Sequence, residues 1–468
     1  MNVEEIRRGF LDLVAARGHK IVDRAPLVLR DDSTTLFTGS GMQPLVPYLL
    51  GADHPQGDVL ADVQPCLRSQ DIDEVGDNRH TTFFEMLGNW SLGGYFKDEQ
   101  IRMLWEFLVE IVGLDPNRLY VSVYSGDEAL GIPRDTDSAD IWTELFTAAG
   151  VSADRVVLDT EQRGDDEGHH GAHICFYRDK NWWSRGGGPD TMPIGDPGGP
   201  DTEVFYYFPQ VEHDTAFGRH SHPNSDGGQF LEIGNSVFMQ FTRTESGLRE
   251  LGRRNVDFGG GLERIAAASI DSPDVYRVST LWPLIERLET LSGRTYDENT
   301  HAMRIIADHI RGAVFVIGDG VKPAGKEHGY VLRRLIRRAI RFAHGLELPD
   351  SAIGEVARVV IDIYADAYPD IAAAGDDILA TLAKEERSFR RTLGKGLREL
   401  RRLGKENRPL TGEDFYTLYD RYGFPVELAV EEAFARGLTV TDNWRTEFDE
   451  CTLQQRERSQ AGSKLGVS

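Results

Sequence analysis

Near residue 280 the chain changes its hydrophobic period, and this change constrains the fold more than any other feature. Before it, short apolar runs at 59–67, 81–87, 119–124, 205–207 and 230–241 are separated by turns rich in Gly, Asp and Asn, the pattern of a sheet of short strands. After it, segments 281–291, 302–317, 330–342, 352–367 and 376–403 repeat apolar residues near every 3.6 positions, the period of helices packed along one face. In the last of these, Ile378, Leu382, Phe389, Leu393, Leu397 and Leu400 share a face. The expected architecture is α+β: an antiparallel β-sheet flanked by helices over 1–280, then a mostly α-helical domain over 281–468. Within the first part, 3–16, 101–112 and 262–268 read as helices and 27–29 and 35–37 as further strands. Residues 127–200 read as an irregular insertion rich in Asp, Gly and His.

Composition bears on partners. The chain has 468 residues, 40% hydrophobic and 27% charged, as in ordinary globular proteins of two to four domains. No apolar run reaches the roughly 18 residues of a membrane span, and the start lacks a signal-peptide core. Three scattered cysteines, Cys66, Cys175 and Cys451, favour a reducing, cytoplasmic setting. A net charge of −24 argues against a nucleic-acid partner until it is divided by position. Residues 1–250 carry 42 acids against 20 bases, whereas 251–468 carry 34 against 32. Segment 328–345 holds Arg333, Arg334, Arg337, Arg338 and Arg341 and no acid. Two charge regimes point to two domains with different partners.

Four segments could carry chemistry. Arg68 closes one predicted strand, and after an acidic turn (Asp71, Asp73, Glu74, Asp77) a second runs from Arg79 to Glu85. That places Arg68 and Glu85 on adjacent strands, where a guanidinium fork could meet a phosphate; taken alone, the segment also reads as a hairpin with surface charges. Residues 256–265, VDFGGGLERI, set three glycines before a helix, which lets the backbone approach an anion at the helix start with Arg264 one turn in. A helix cap with tight packing explains those glycines equally well. Trp182-Trp183, with the Gly/Pro run that follows, suits core, lid or pocket wall. Glu232 and Asn235 lie on an otherwise apolar strand.

Together these segments resemble the catalytic core of class II aminoacyl-tRNA synthetases, and within them the alanyl-tRNA synthetase family. TTLFTGSGMQP is similar to motif 1, RHTTFFEMLGNWSLGGYFK to the stretch after the motif 2 turn, and VDFGGGLERIAAA to motif 3. MRIIADHIRGAVFVIGDGV, GYVLRRLIRRAIR and DFYTLYDRYGFPVEL resemble the helical tRNA-recognition region. The resemblance implies ATP-dependent activation of alanine and transfer to tRNA. It implies that ATP is bound by Arg68, Arg79, Phe83, Phe84, Glu85, Gly261 and Arg264, with either Phe83 or Phe84 facing adenine. Alanine would lie among Arg68, Trp183, Asn235, Val237, Asp257 and Gly259. Arg68, Asp257 and Arg264 would be the catalytic groups, and Glu232 a candidate carboxylate on the Mg²⁺ side. The tRNA acceptor stem would meet Arg333, Arg337 and Arg341, with Asp420 at the position that reads the family's G·U identity pair.

Some features depart from the family pattern. Gly325 replaces an asparagine that helps to read that pair, and glycine offers no side-chain donor or acceptor. The turn after Arg68 is acidic. The family's editing and oligomerisation domains are not recognisable before Ser468, so the expectation is a monomer comprising the aminoacylation part alone or a short paralogue. His169, His170, His173, His220 and His222 have short spacings but no companion cysteines, so they are read as solvated loop histidines and no zinc site is expected. Two other readings stay open here: a paralogue that passes an activated small amino acid to another acceptor, and a non-catalytic tRNA-binding relic.

Overall fold

The computed structural model describes residues 1–29 and 36–465, with 456–465 given by backbone alone. The chain forms two compact units, Met1–Pro283 and Leu284–Ser468. The strand expected at 35–37, and with it the start of the motif 1 segment, falls partly outside the described residues.

The first unit is built on one sheet. Its strands are β1 (Lys20–Ile21), β2 (Val59–Leu67), β3 (Phe83–Leu92), β4 (Leu119–Tyr124), β5 (Arg155–Asp159), β6 (Ile174–Tyr177), β7 (Trp182–Trp183), β8 (Pro197–Tyr207), β9 (Phe230–Thr244) and β10 (Gly247–Gly261). They run in the order β1-β2-β3-β10-β9-β8-β4-β6-β5, with β7 paired to β8. From β2 through to β4 every pairing is antiparallel. The edges are not: β1 lies parallel to β2, and β6 is parallel to both β4 and β5. The sheet is therefore mixed rather than wholly antiparallel. The cause is the segment read from sequence as irregular. Between β4 and β6 the chain inserts helix Thr136–Ala148, β5 and helix Glu161–Glu167, and such crossovers are what parallel pairing requires. The elements are short and bounded by Asp and Gly, so their period was hidden. At 27–29 there is a bend rather than a strand, with Thr38 N donating to Leu27 O at 2.8 Å.

The first helix, Val3–Ala16, starts with a capping box of Asn2 and Glu5, which satisfies two otherwise orphaned amides. It buries Val3, Ile6, Phe10 and Val14, and Phe10 meets Phe107 edge-on at 5.2 Å. A hydrophobic cluster on the other face of the sheet gathers Met42, Leu45, Leu60, Trp90, Val237 and Met239. At roughly 1.5–3 kcal/mol for each large side chain, this layer firmly fixes the central strands.

The second unit is helical: Thr300–Gly318, Glu327–Gly345, Ala352–Tyr364, Gly375–Leu403, Gly412–Tyr422, Val426–Ala435 and Trp444–Leu465. Helix Thr300–Gly318 is enclosed almost all round and buries even Asp308, His309 and Arg311. Burial of charge on this scale demands partners. His309 Nδ1 faces Asp308 Oδ2 at 2.8 Å, and its Nε2 lies 2.9 Å from Arg338. No helix among the described residues is long and apolar enough to cross a membrane.

Candidate active site

The alternation of side chains along β3 decides which face each residue serves. Phe84 and Met86 point to one face, where a cavity of about 100 Å³ opens; Arg68, Asp71, His80, Glu232, Gly259, Gly261 and Arg264 share its walls. Arg68 follows β2 directly. Its backbone amide donates to Thr82 O at 2.8 Å, its Nε donates to Gly39 O at 3.1 Å, and its guanidinium carbon sits 4.9 Å from the Phe84 ring centre. Arg264 enters from the opposite wall on helix Leu262–Ser269. Its Nη1 donates to Glu232 O at 3.2 Å and lies 3.7 Å from the Glu232 carboxylate. Both guanidiniums thus use carbonyl oxygens as anchors and keep N–H donors for the cavity. The glycines matter here for space: a Cβ on Gly259 would come within 2.9 Å of the Met86 sulfur. His80 is held by Asp77 at 2.6 Å, and that hydrogen bond keeps its pKa above the usual imidazole value, adding positive character to the wall. Two guanidiniums and an aromatic ring lining one cavity suit a polyphosphate attached to a planar base.

On the same face, further along the strands, is a row of cross-strand neighbours: Leu60, Trp90, Asp257, Val237 and Asp201. Trp90 Nε1 donates to Asp257 Oδ1 at 2.7 Å. Asp257 is 8% exposed, and burial pushes its pKa up to about 7. The Trp90 ring leans over Gly88, where a Cβ would be 2.3 Å from it. Trp183, on β7, packs against the same cluster as Val237. The Asp257 carboxylate, directed by Trp90, thus stands in a recess beside apolar Val237 and Trp183, an arrangement suited to a compact cation. The next row holds Glu203, Asn235, Gly259, Gly88 and Asp62.

A family model described as tRNA synthetases class II (A) matches residues 5–467. The chain belongs to the class II tRNA synthetases. Among curated relatives, a protein named alanine–tRNA ligase from Borrelia hermsii strain HS1/DAH is 38% identical over 99% of this chain and 74% of its own length. One of the same name from Treponema pallidum strain Nichols is 40% identical over 100% of this chain and 73% of its own. A third, from Mycobacterium ulcerans, is 37% identical and is matched over 49% of its length.

In this class II synthetase the expected site residues divide. Arg68, Phe84, Glu232, Gly259, Gly261 and Arg264 meet around the cavity. Asp257, Val237, Asn235 and Trp183 lie beside it on the same face rather than in its lining. Phe83 is fully buried on the other face, so of the two phenylalanines only Phe84 reaches the cavity. Glu85 is also on the far side, contrary to expectation. Both its oxygens accept from Arg7 Nη2, at 2.6 and 2.7 Å, and its amide donates to Glu263. The two-residue period of β3 forces this, since Glu85 follows the residue that faces the cavity. Arg79 likewise stands outside the lining, donating to Gly228 O at 2.8 Å, where it holds a loop.

In the second unit a cavity of about 310 Å³ brings Gly325, Tyr330, Arg333, Arg334, Arg337 and Asp420 together. Arg341 does not reach it. It is bound to Glu432, and Arg338 forms a bidentate pair with Glu431 at 2.8 and 2.9 Å. Arg337 Nε donates to Glu385 at 2.7 Å. The acid-free segment is thus met by acids from other helices. Of the histidines expected to be solvated, His170 and His220 are exposed, whereas His173 stacks on Tyr120 at 4.2 Å and fully buried His222 contacts the Tyr177 hydroxyl at 2.7 Å and Asp165 at 3.2 Å.

Trp90, Met86 and His80 belong to the site but are not singled out by the sequence reading, which places Asp71 only in an acidic turn. The signal was available: Trp90 and Met86 share the parity of Phe84 on β3, and Asp71 and His80 bracket the turn between the two strands.

Proposed function

We propose that this chain activates alanine with ATP and transfers the alanyl group to the 3′ end of the tRNA that accepts alanine. The observation that carries the reading is the convergence of Arg68, Arg264 and Phe84 on one cavity, with the buried Asp257 carboxylate on the same sheet face. Phe84 takes the adenine, Arg264 the outer phosphates, and Arg68 both the α-phosphate and the substrate carboxylate. Asp257, ionised, pairs with the α-ammonium; Val237 and Trp183 limit the space for the side chain.

The first step needs no general base, because the alanine carboxylate is already the nucleophile. Its oxygen forms a bond to the α-phosphorus while the bond from that phosphorus to the bridging oxygen breaks, releasing pyrophosphate. Fixed guanidiniums favour this step by positioning the reactants and by meeting charge that develops on phosphoryl oxygens. In the second step the terminal ribose hydroxyl attacks the carbonyl carbon, and AMP leaves. Mg²⁺ fits the same wall: it binds through one or two carboxylates plus substrate phosphates, and Glu232 and Asp71 both face the cavity. Bound there, Mg²⁺ would offset phosphate charge.

In the second unit, Arg333, Arg337 and Asp420 present a mixed donor and acceptor surface to the acceptor stem, Arg333 and Arg337 toward phosphates and Asp420 toward a base edge. A monomer in the cytoplasm completes the reading. Alanine-dependent ATP–pyrophosphate exchange, followed by charging of alanine tRNA transcripts with G·U or G·C at the identity pair, tests it. No exchange with alanine would overturn the first step, and exchange without charging of either transcript would overturn the second.

A further inference from the structure

Beside the alanine recess lies a buried polar network that the reading above does not use. Asp201, on β8, is 2% exposed. Its Oδ2 accepts from Asn235 Nδ2 at 3.2 Å and its Oδ1 from Asn181 Nδ2 at 2.9 Å. Asn181 Nδ2 also lies 2.7 Å from Ser122 Oγ, and the Ser122 hydroxyl donates to Glu203 at 2.8 Å. Burial raises the Asp201 pKa; in its ionised form the carboxylate only accepts, so it takes the NH₂ end of each amide and sets which way both side chains face. The consequence falls on Asn235. With its nitrogen held by Asp201, its Oδ1 is the end of the amide left over, on a residue paired with Gly259 of β10. That oxygen is buried and has no hydrogen-bond partner, a costly condition for a carbonyl unless a ligand meets it. Asp257, two residues along β10 from Gly259, faces the same recess.

We infer that Asp201 is a positioning residue for the amino-acid substrate, holding the Asn235 amide so that its oxygen accepts from the substrate's α-ammonium group beside Asp257. The inference rests on the alanine-activating reading above, and it adds a second acceptor whose direction is set from behind. Such a device favours a primary ammonium, which has three donors to place, over a hydroxyl at the same carbon.

The test uses the whole chain in ATP–pyrophosphate exchange. Asp201→Asn leaves one oxygen for two amide NH₂ groups, so the Asn235 amide turns over. Alanine KM is expected to rise about tenfold, the usual worth of a hydrogen bond to a charged group, with ATP KM and kcat within about twofold. Adding Asn235→Asp restores an acceptor to the recess, and most of the loss should be recovered. Unchanged alanine KM in Asp201→Asn, a parallel rise in both KM values, or no recovery in the double variant would overturn the inference. If Asp201→Asn does not fold, Asn235→Ala replaces it, and normal alanine KM there overturns the inference equally. Failure of the parent chain to exchange with alanine would instead refute the reading on which the inference stands.

Discussion

Two sets of arginines in this molecule have opposite fates. In the sheet cavity, Arg68 and Arg264 are anchored by the carbonyls of Gly39 and Glu232, and the acid that meets Arg264, the Glu232 carboxylate at 3.7 Å, lines the same cavity. In helix Glu327–Gly345, which has more arginine and no acid over 328–345, Arg337, Arg338 and Arg341 are met by Glu385, Glu431 and Glu432. The first unit, whose residues 1–250 carry a net charge of −22, thus still brings two guanidiniums to its cavity, and the arginine-rich helix spends most of its own charge on holding helices together. Charge counted along a sequence therefore does not predict charge offered to a ligand.

The comparison can be tested most severely at Arg264. Arg264→Ala should lower alanine-dependent exchange by about 10²–10³-fold, as for loss of a directed transition-state donor, with Tm unchanged within a degree or two. If exchange is normal, the cavity is not the site of activation. The opposite pattern is expected at Arg338, whose side chain is 3% exposed. Arg338→Ala removes the partner of Glu431 and of His309 and should cost about 3 kcal/mol. At roughly 2–4 °C per kcal/mol for a domain of this size, calorimetry should show the second unit's Tm lowered by about 6–12 °C, with exchange intact below it. A small Tm change would mean that the helix arginines are not structural after all.

Next in size is a pH effect. Burial raises the Asp257 pKa from 3.8 to about 7, so the folded chain keeps a proton that the unfolded chain gives up. Between pH 4 and 7 this group's contribution to stability falls as pH rises, and above 7 it is constant. Alanine needs the ionised carboxylate, so kcat/KM for alanine should climb about tenfold per pH unit below 7 and level off above. A flat profile would remove Asp257 from the ammonium site. The smallest effect concerns tRNA. Arg333→Ala with Arg337→Ala should weaken binding several-fold and flatten the log–log salt dependence by about one to two units. A larger loss would show that these two arginines carry more free charge than their contacts with Glu385 suggest.

What could be read from sequence depended on whether a residue's task is local. The triple glycine before Arg264, the position of Arg68 after β2 and the long apolar stripes of the helices are encoded by neighbours in the chain, and the structure has them where expected. Glu85 was misplaced because it lies in a run of site residues, yet a strand turns every second side chain to the other face. Arg341 was misplaced because its partner, Glu432, is 91 positions away. The insertion was taken for irregular chain because strands of four or five residues give too few periods to register against an acidic background. His173 and His222 were read as solvated because nothing local in the sequence reports the Tyr120 and Tyr177 rings that cover them.

Gly88 touches on all of this from a position that contributes no side chain. The Trp90 ring occupies the space where a Cβ at residue 88 would stand, and only from there does its N–H reach Asp257 across the strand pair. The direction of the buried carboxylate is therefore inherited from a missing atom. A single methyl at position 88 would displace the ring and leave Asp257 without its anchor, so selectivity for a small ammonium-bearing substrate depends on the emptiest residue in the sheet.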